Sequence, residues 1–264
     1  MTLIAFVVLY LLASIAIGLY AATRVKTTAD YAVAGRSLPL AVIIATTFAT
    51  WFGSETVLGI PSKFIEGGLQ KTVEDPIGAG MCLVLVGMFF ARKLYKMDLL
   101  TIGDFYRKRY GKGVEIFSSI VLLISYLGWV AAQLTALGLV FNLLSVGAIS
   151  VATGMVIGTL VVLVYTLFGG MWSVALTDFF QMIIIVVGLT LIAIFAADHA
   201  GGVGKVVEYA QSRDLFQFFP DGGLHGWLFW IGAAITIMIG SIPQQDVFQR
   251  VMSAKSADVA VKGP

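Results

Sequence analysis

The 264 residues are 59% hydrophobic and 12% charged, with a mean hydropathy of +0.94, which excludes an ordinary soluble domain. The net charge of +2 points to no polyanionic partner, and no basic run is interleaved with aromatics, so no nucleic-acid partner is expected. Cys82 is the single cysteine, which excludes a disulfide framework and a cysteine-built metal centre.

In chain order, Thr2–Ala22 reads as the first membrane span, since about 20 apolar residues cross a hydrocarbon core of about 30 Å. Met1-Thr2-Leu3 lacks the positive start of a secretory signal, so the helix reads as retained. A basic loop with Arg24, Lys26 and Arg36 leads to the second span, Leu38–Ile60. The third span, Pro76–Phe90, is short and marked at its end by Arg92, Lys93 and Lys96; it runs on to Leu94 if the first two basic side chains snorkel to the interface. Residues Leu100–Gly111 are amphipathic and basic, as in a short helix on the membrane surface. Ile116–Leu143 forms the fourth span, Ser145–Phe168 the fifth and Trp172–Ala196 the sixth, with Gly169-Gly170 breaking the last two apart. A polar loop, Asp198–Leu224, contains His199 and is followed by His225; the two histidines lack ligand spacing and read as solvated. The seventh span starts at Gly226 and meets Gly240-Ser241-Ile242-Pro243 near its far end.

Lys and Arg placement sets the orientation. With the amino terminus outside, thirteen basic residues fall inside and four (Lys63, Lys71, Lys205 and Arg213) fall outside. That bias supports seven spans in a multi-pass protein of the cell membrane, with the lipid bilayer as its solvent.

The second span is the unusual one. Over Thr46–Pro61 hydroxyls, Gly53, Glu55, Gly59 and Pro61 crowd into about four turns where plain hydrocarbon is expected. A charge at that depth costs a few kcal/mol and marks a functional-site candidate. Gly and Pro make the helix breakable, and freed carbonyls are tolerated where they line a cavity and coordinate a cation. A kinked packing helix with Glu55 near the aqueous edge is the alternative. Span seven is interrupted in the same manner and crosses in the opposite direction. Paired interrupted helices point to an inverted-repeat transporter with its substrate site between them; the alternative is coincidence, as Gly and Pro are common in membrane helices.

Four segments resemble the sodium/solute symporter family. They are Asp30–Pro39 before the first core helix; Thr101, Asp104-Phe105 and Arg109-Tyr110-Gly111 on the surface helix; Tyr165–Ser173 followed by Thr177-Asp178-Phe179 and Gln181; and Pro243-Gln244-Gln245 with Phe248-Gln249-Arg250. The resemblance implies an all-α polytopic fold of the LeuT type. Residues 1–37 would be a leading helix and inner loop, 38–197 the first five-helix repeat, 198–225 an outer loop, and 226–264 the first helix of the second repeat with a tail. It also implies sodium-coupled uptake of a small polar organic solute by alternating access, with sodium as coupling ion and no other cofactor. By the family pattern, sodium would meet the carbonyls of Ala49 and Phe52, and Asp178 matches an acidic position associated with sodium. Asp178 reads equally as an inner-edge helix cap, since Ser173–Asp178 opens a span. The family's eighth core helix, which supplies sodium-binding hydroxyls, has no counterpart here, as in a truncated symporter.

For the solute, Trp51, Glu55 and Thr56 at the first break would face Gln244 and Gln245 at the second. Trp129 and Gln133, four residues apart, share a helical face with access to the same place. The two tryptophans suit a cation, and the alternative for both is packing or interfacial anchoring. The neighbourhoods Ala49–Trp51 and Phe248–Arg250 are similar to the choline-transporting branch, which has an aromatic residue near Gln244; that wall is missing here. No nucleophile motif, metal cluster or nucleotide loop occurs, and Gly201–Gly204 lacks the strand and helix of a phosphate loop, so an enzyme is not expected. A membrane sensor domain, or an inactive truncated symporter, are the alternative readings.

Overall fold

The computed structural model describes residues 2–264. Helix α1 (Thr2–Ala22) is apolar all round, as a lipid-embedded helix is. The short α2 (Thr28–Val33) is opened by a capping box in which the Thr27 hydroxyl accepts from the Asp30 N–H and the Asp30 carboxylate accepts from the Thr27 N–H. Helix α3 (Leu40–Trp51) ends where Phe52 leaves helical geometry at φ −94°, ψ 70°. A π-helical turn, Glu55–Gly59, then leads into α4 (Ile60–Gly67). The two halves are bent by 58°, so the second span is broken where its glycine and hydroxyl residues crowd.

The third span runs from Leu69 to Lys96, with α5 (Ala79–Leu85) and α6 (Arg92–Lys96) joined through π-helical turns. It is longer than Pro76–Phe90 at both ends, because the turns over Leu69–Asp75 run into it and the basic Arg92–Lys96 end stays helical. Helix α7 (Ile102–Tyr110) is the basic surface helix, opened by a second capping box between Thr101 and Asp104. Helix α8 (Lys112–Leu144) follows. The fifth span starts six residues later than Ser145, because Ser145–Ser150 forms a turn with Val146 and Gly147 at positive φ. Ser150 then caps α9 (Val151–His199), accepting from the Thr153 N–H.

At 49 residues α9 would extend about 74 Å, more than twice the hydrocarbon core of about 30 Å, so it supplies two spans. They part at Gly170 alone (φ 48°, ψ −136°), with helix resuming at Met171. A side chain at Gly170 would collide with the Tyr31 carbonyl. Beyond it, the expected polar loop contains the helix α10 (Val203–Ser212). Then come α11 (Gly223–Gly240), a turn over Ser241–Gln244, α12 (Gln245–Ser253) and α13 (Ala257–Lys262). Among the described residues there is no strand, and with the broken α3–α4 pair and a divided α9 the apolar helices make the seven spans expected from the sequence.

Helix α9 is the post of the assembly, packed by α1, α3 and α8, while α11 packs on the start of the third span. The main buried cluster, with Leu38, Ile43, Val86, Met171 and Val251, joins α3, the third span, α9 and α12. Leu38 donates its N–H to the Ser253 carbonyl at 3.0 Å and accepts from the Lys255 N–H at 2.9 Å, which ties the segment before α3 to the end of α12. Large apolar side chains such as Phe117, Leu143 and Phe195 remain more than two-thirds exposed to the surroundings, which a bilayer accounts for and water does not.

Candidate functional site: a cavity between two helix breaks

The first break is built around Gly53. A Cβ there would sit 2.7 Å from Glu55 Oε2 and 3.0 Å from Gln133 Nε2, so only glycine leaves these two groups their places. Gln133, on α8, uses both ends of its amide. Its Oε1 accepts from the Ser54 N–H at 3.0 Å, satisfying a donor the break sets free, and its Nε2 donates to Glu55 Oε2 at 2.5 Å. Trp129, one helical turn earlier on the same face, donates its indole N–H to Glu55 Oε1 at 3.1 Å. Thr56 has one hydroxyl proton; Asp75 Oδ2 at 2.7 Å takes it in preference to the Trp51 carbonyl at 3.3 Å.

The second break is read by the same helix. Tyr126 donates its hydroxyl to Asp246 Oδ1 at 2.9 Å and accepts from the Asp246 N–H at 3.2 Å. The carboxylate also takes the Val247 N–H at 2.9 Å at the opening of α12, where a helix N-terminus favours negative charge. Tyr126, Trp129 and Gln133 are spaced by three and four residues, hence one stripe of α8, and this stripe meets a carboxylate at each break.

Between the breaks lies a cavity of about 440 Å³. Of the residues expected to hold solute, Trp51, Glu55, Trp129 and Gln244 line it. Gln133 reaches it through Glu55, and Thr56 through Asp75. Gln245 is not brought there. It follows Gln244 at the start of α12, a rotation of about 100°, and its Oε1 instead accepts from the Ile102 N–H at 2.8 Å, beside a second cavity of about 300 Å³ that Arg250 also lines. Tyr126, Asp75 and Asp246 line the main cavity as well and were not singled out from the sequence. Asp246 carried a signal, a carboxylate next to a break, and Tyr126 sits one turn before Trp129. Lys63 and Glu74, also in the wall, form an ion pair.

At the sodium positions implied by the resemblance, no backbone N–H among the described residues donates to the carbonyl of Ala49 or Phe52, so both keep lone pairs for a cation. Asp178 does not cap a helix. It lies eight residues after Gly170, inside α9, where its Oδ2 accepts from the Thr46 hydroxyl at 2.5 Å. Thr46 is about one turn before Ala49 on α3, so Asp178 packs on the helix that carries the implied sodium carbonyls.

Residues 31–264 match the family model described as the sodium:solute symporter family. The chain belongs to the sodium:solute symporter family. The human high affinity choline transporter 1 is 31% identical over 98% of this chain and 45% of its own length. The high-affinity proline transporter PutP of Bacillus subtilis is 32% identical over 80% of this chain and 46% of its own. The chain thus spans less than half the length of these symporter relatives. A solved Na+-coupled sialic acid symporter, in a substrate-bound outward-open state, superposes with a TM-score of 0.84 at 22% identity, over 100% of this chain and 55% of that one. The fold is therefore the all-α LeuT-type architecture of multi-pass membrane symporters.

Proposed function

We propose that the protein performs sodium-coupled secondary uptake of a small polar organic solute by alternating access. The observation that carries this reading is that the broken span α3–α4 and the turn between α11 and α12 both line one cavity and present polar groups to it. Trp51, Glu55, Thr56, Trp129, Gln133 and Gln244 form or support the solute site. Sodium sits by the carbonyls of Ala49 and Phe52, with Asp178 supplying nearby negative charge. Relatives that are choline and proline transporters support a small nitrogen-bearing solute. The basic bias supports an amino terminus on the outside.

The test is solute uptake into cells expressing the protein from its own reading frame, with sodium and then with potassium in its place. Uptake that collapses without sodium is expected; uptake indifferent to the exchange overturns the reading. A cysteine placed at Lys205 is expected to react with an impermeant thiol reagent from outside, and one at Lys108 is not.

A further inference from the structure

The proposed solute cavity holds more negative charge than its own walls neutralise. Glu55, Glu74, Asp75 and Asp246 line it, and the single cation among the described lining residues, Lys63, is paired with Glu74. Three carboxylates are left. Each is oriented by neutral donors: Glu55 by Trp129 and Gln133, Asp75 by Thr56, and Asp246 by Tyr126. Such donors fix a carboxylate in space without cancelling its charge. Both oxygens of Glu55 accept a hydrogen bond from α8. Arg250 does not enter this cavity; it donates to the Asp246 main-chain carbonyl at 3.4 Å and lines the other one.

Carboxylates that share one cavity attract a cation of matching spacing, since each opposite charge brought within a few ångströms is favourable. Two of the three stand one at each helix break, and they are bound to neighbouring aromatic residues of α8. The rings of Tyr126 and Trp129 lie 6.3 Å apart at 84°. Trp129 spends its indole N–H on Glu55, which leaves a ring face for alkyl or ammonium groups.

Resting on the reading that this cavity holds the solute, we infer that the solute is a short organic dication, a diammonium compound. One ammonium pairs with Glu55, the other with Asp246, and the alkyl stem lies along Trp129 and Tyr126. A zwitterion would add its own carboxylate to three others. A quaternary monocation has no N–H to offer carboxylate oxygens and leaves the second break unmatched. The cavity between the breaks defines the site, and its charge balance defines what fits.

The test is equilibrium binding of labelled 1,4-diaminobutane to the protein in lipid nanodiscs, with sodium or potassium. The competitors are 1-aminobutane, choline and proline, and the variants are Glu55→Gln and Asp246→Asn. The diamine is expected to bind in sodium and to resist all three competitors. Each variant should weaken it about tenfold or more, the size expected for loss of one charged hydrogen-bonded contact, and should narrow its lead over 1-aminobutane. Tighter sodium-dependent binding of choline or proline overturns the dication and leaves sodium coupling intact. Diamine binding that ignores sodium supports the charge assignment and overturns the coupling. Absence of diamine binding overturns the inference. If Glu55→Gln fails to fold, the Asp246→Asn variant and the unaltered protein's choice between diamine and monoamine still decide.

Discussion

Tyr126 and Asp246, 120 residues apart in the chain, exchange two hydrogen bonds: hydroxyl to carboxylate at 2.9 Å and main-chain N–H to hydroxyl at 3.2 Å. This pair fastens the second helix break to α8, as Gln133 fastens the first. Tyr126→Phe keeps the ring and removes both bonds. A hydrogen bond to a charged group contributes about 1.5–3 kcal/mol, so sodium-dependent uptake is expected to fall about tenfold or more with the amount of inserted protein unchanged. Equal loss of both would assign Tyr126 to folding alone.

Glu55 accepts from two side chains of α8 and stands in the cavity wall. Glu55→Gln is expected to impair uptake far more than membrane insertion, measured on the same cells by transport and by surface labelling. A parallel decline would leave Glu55 a packing residue.

Gly53 and Gly59 flank the same turn but differ in their surroundings. A Cβ at Gly53 meets Glu55 and Gln133 under or at 3.0 Å, whereas at Gly59 nothing lies within 4 Å. Gly53→Ala is expected to displace the Glu55–Gln133 contact and reduce uptake; Gly59→Ala is expected to be tolerated, or to help slightly through helix propensity. Matching losses at the two positions would show that the whole turn needs glycine flexibility.

Asp178 lies beside Thr46, one turn from Ala49. Asp178→Asn keeps the shape and removes the charge. The sodium concentration giving half-maximal uptake is expected to rise about tenfold, on the scale of one lost charged contact, while apparent solute affinity at saturating sodium stays near its original value. A change in solute affinity alone would argue against a sodium role.

On the surface, Asp30 is held below the usual carboxylate range, first by the Thr27 hydroxyl and then by main-chain N–H groups. Its folded value is depressed, so its stabilisation of α2 is present above the ordinary aspartate range and is lost as pH falls through the depressed value. The protection of Thr28–Val33 amides, after correction for the intrinsic pH dependence of exchange, is expected to fall at acid pH, and Asp30→Asn to remove that step.

The spans, the breaks near Gly53 and Ser241 and the surface helix were legible in the sequence, because each is dictated locally: by runs of apolar residues long enough to cross a bilayer, by glycine and proline, and by an amphipathic basic pattern. Family membership was legible too, from the motifs at Asp30–Pro39 and Tyr165–Ser173. The start of the fifth span was missed, since Ser150, rather than hydrophobicity, sets where α9 begins. Only the tertiary structure decided which polar groups share the cavity. Gln245 turns away because one residue of helix rotates it past the opening, and Asp178 is drawn to Thr46 across 132 residues rather than to a helix end. Asp75 enters the wall because the start of the third span packs beside Thr56, and Asp246 because Tyr126 of α8 holds it there. Those meetings depend on how helices pack, and no local pattern in the chain encodes the separation across which two side chains touch.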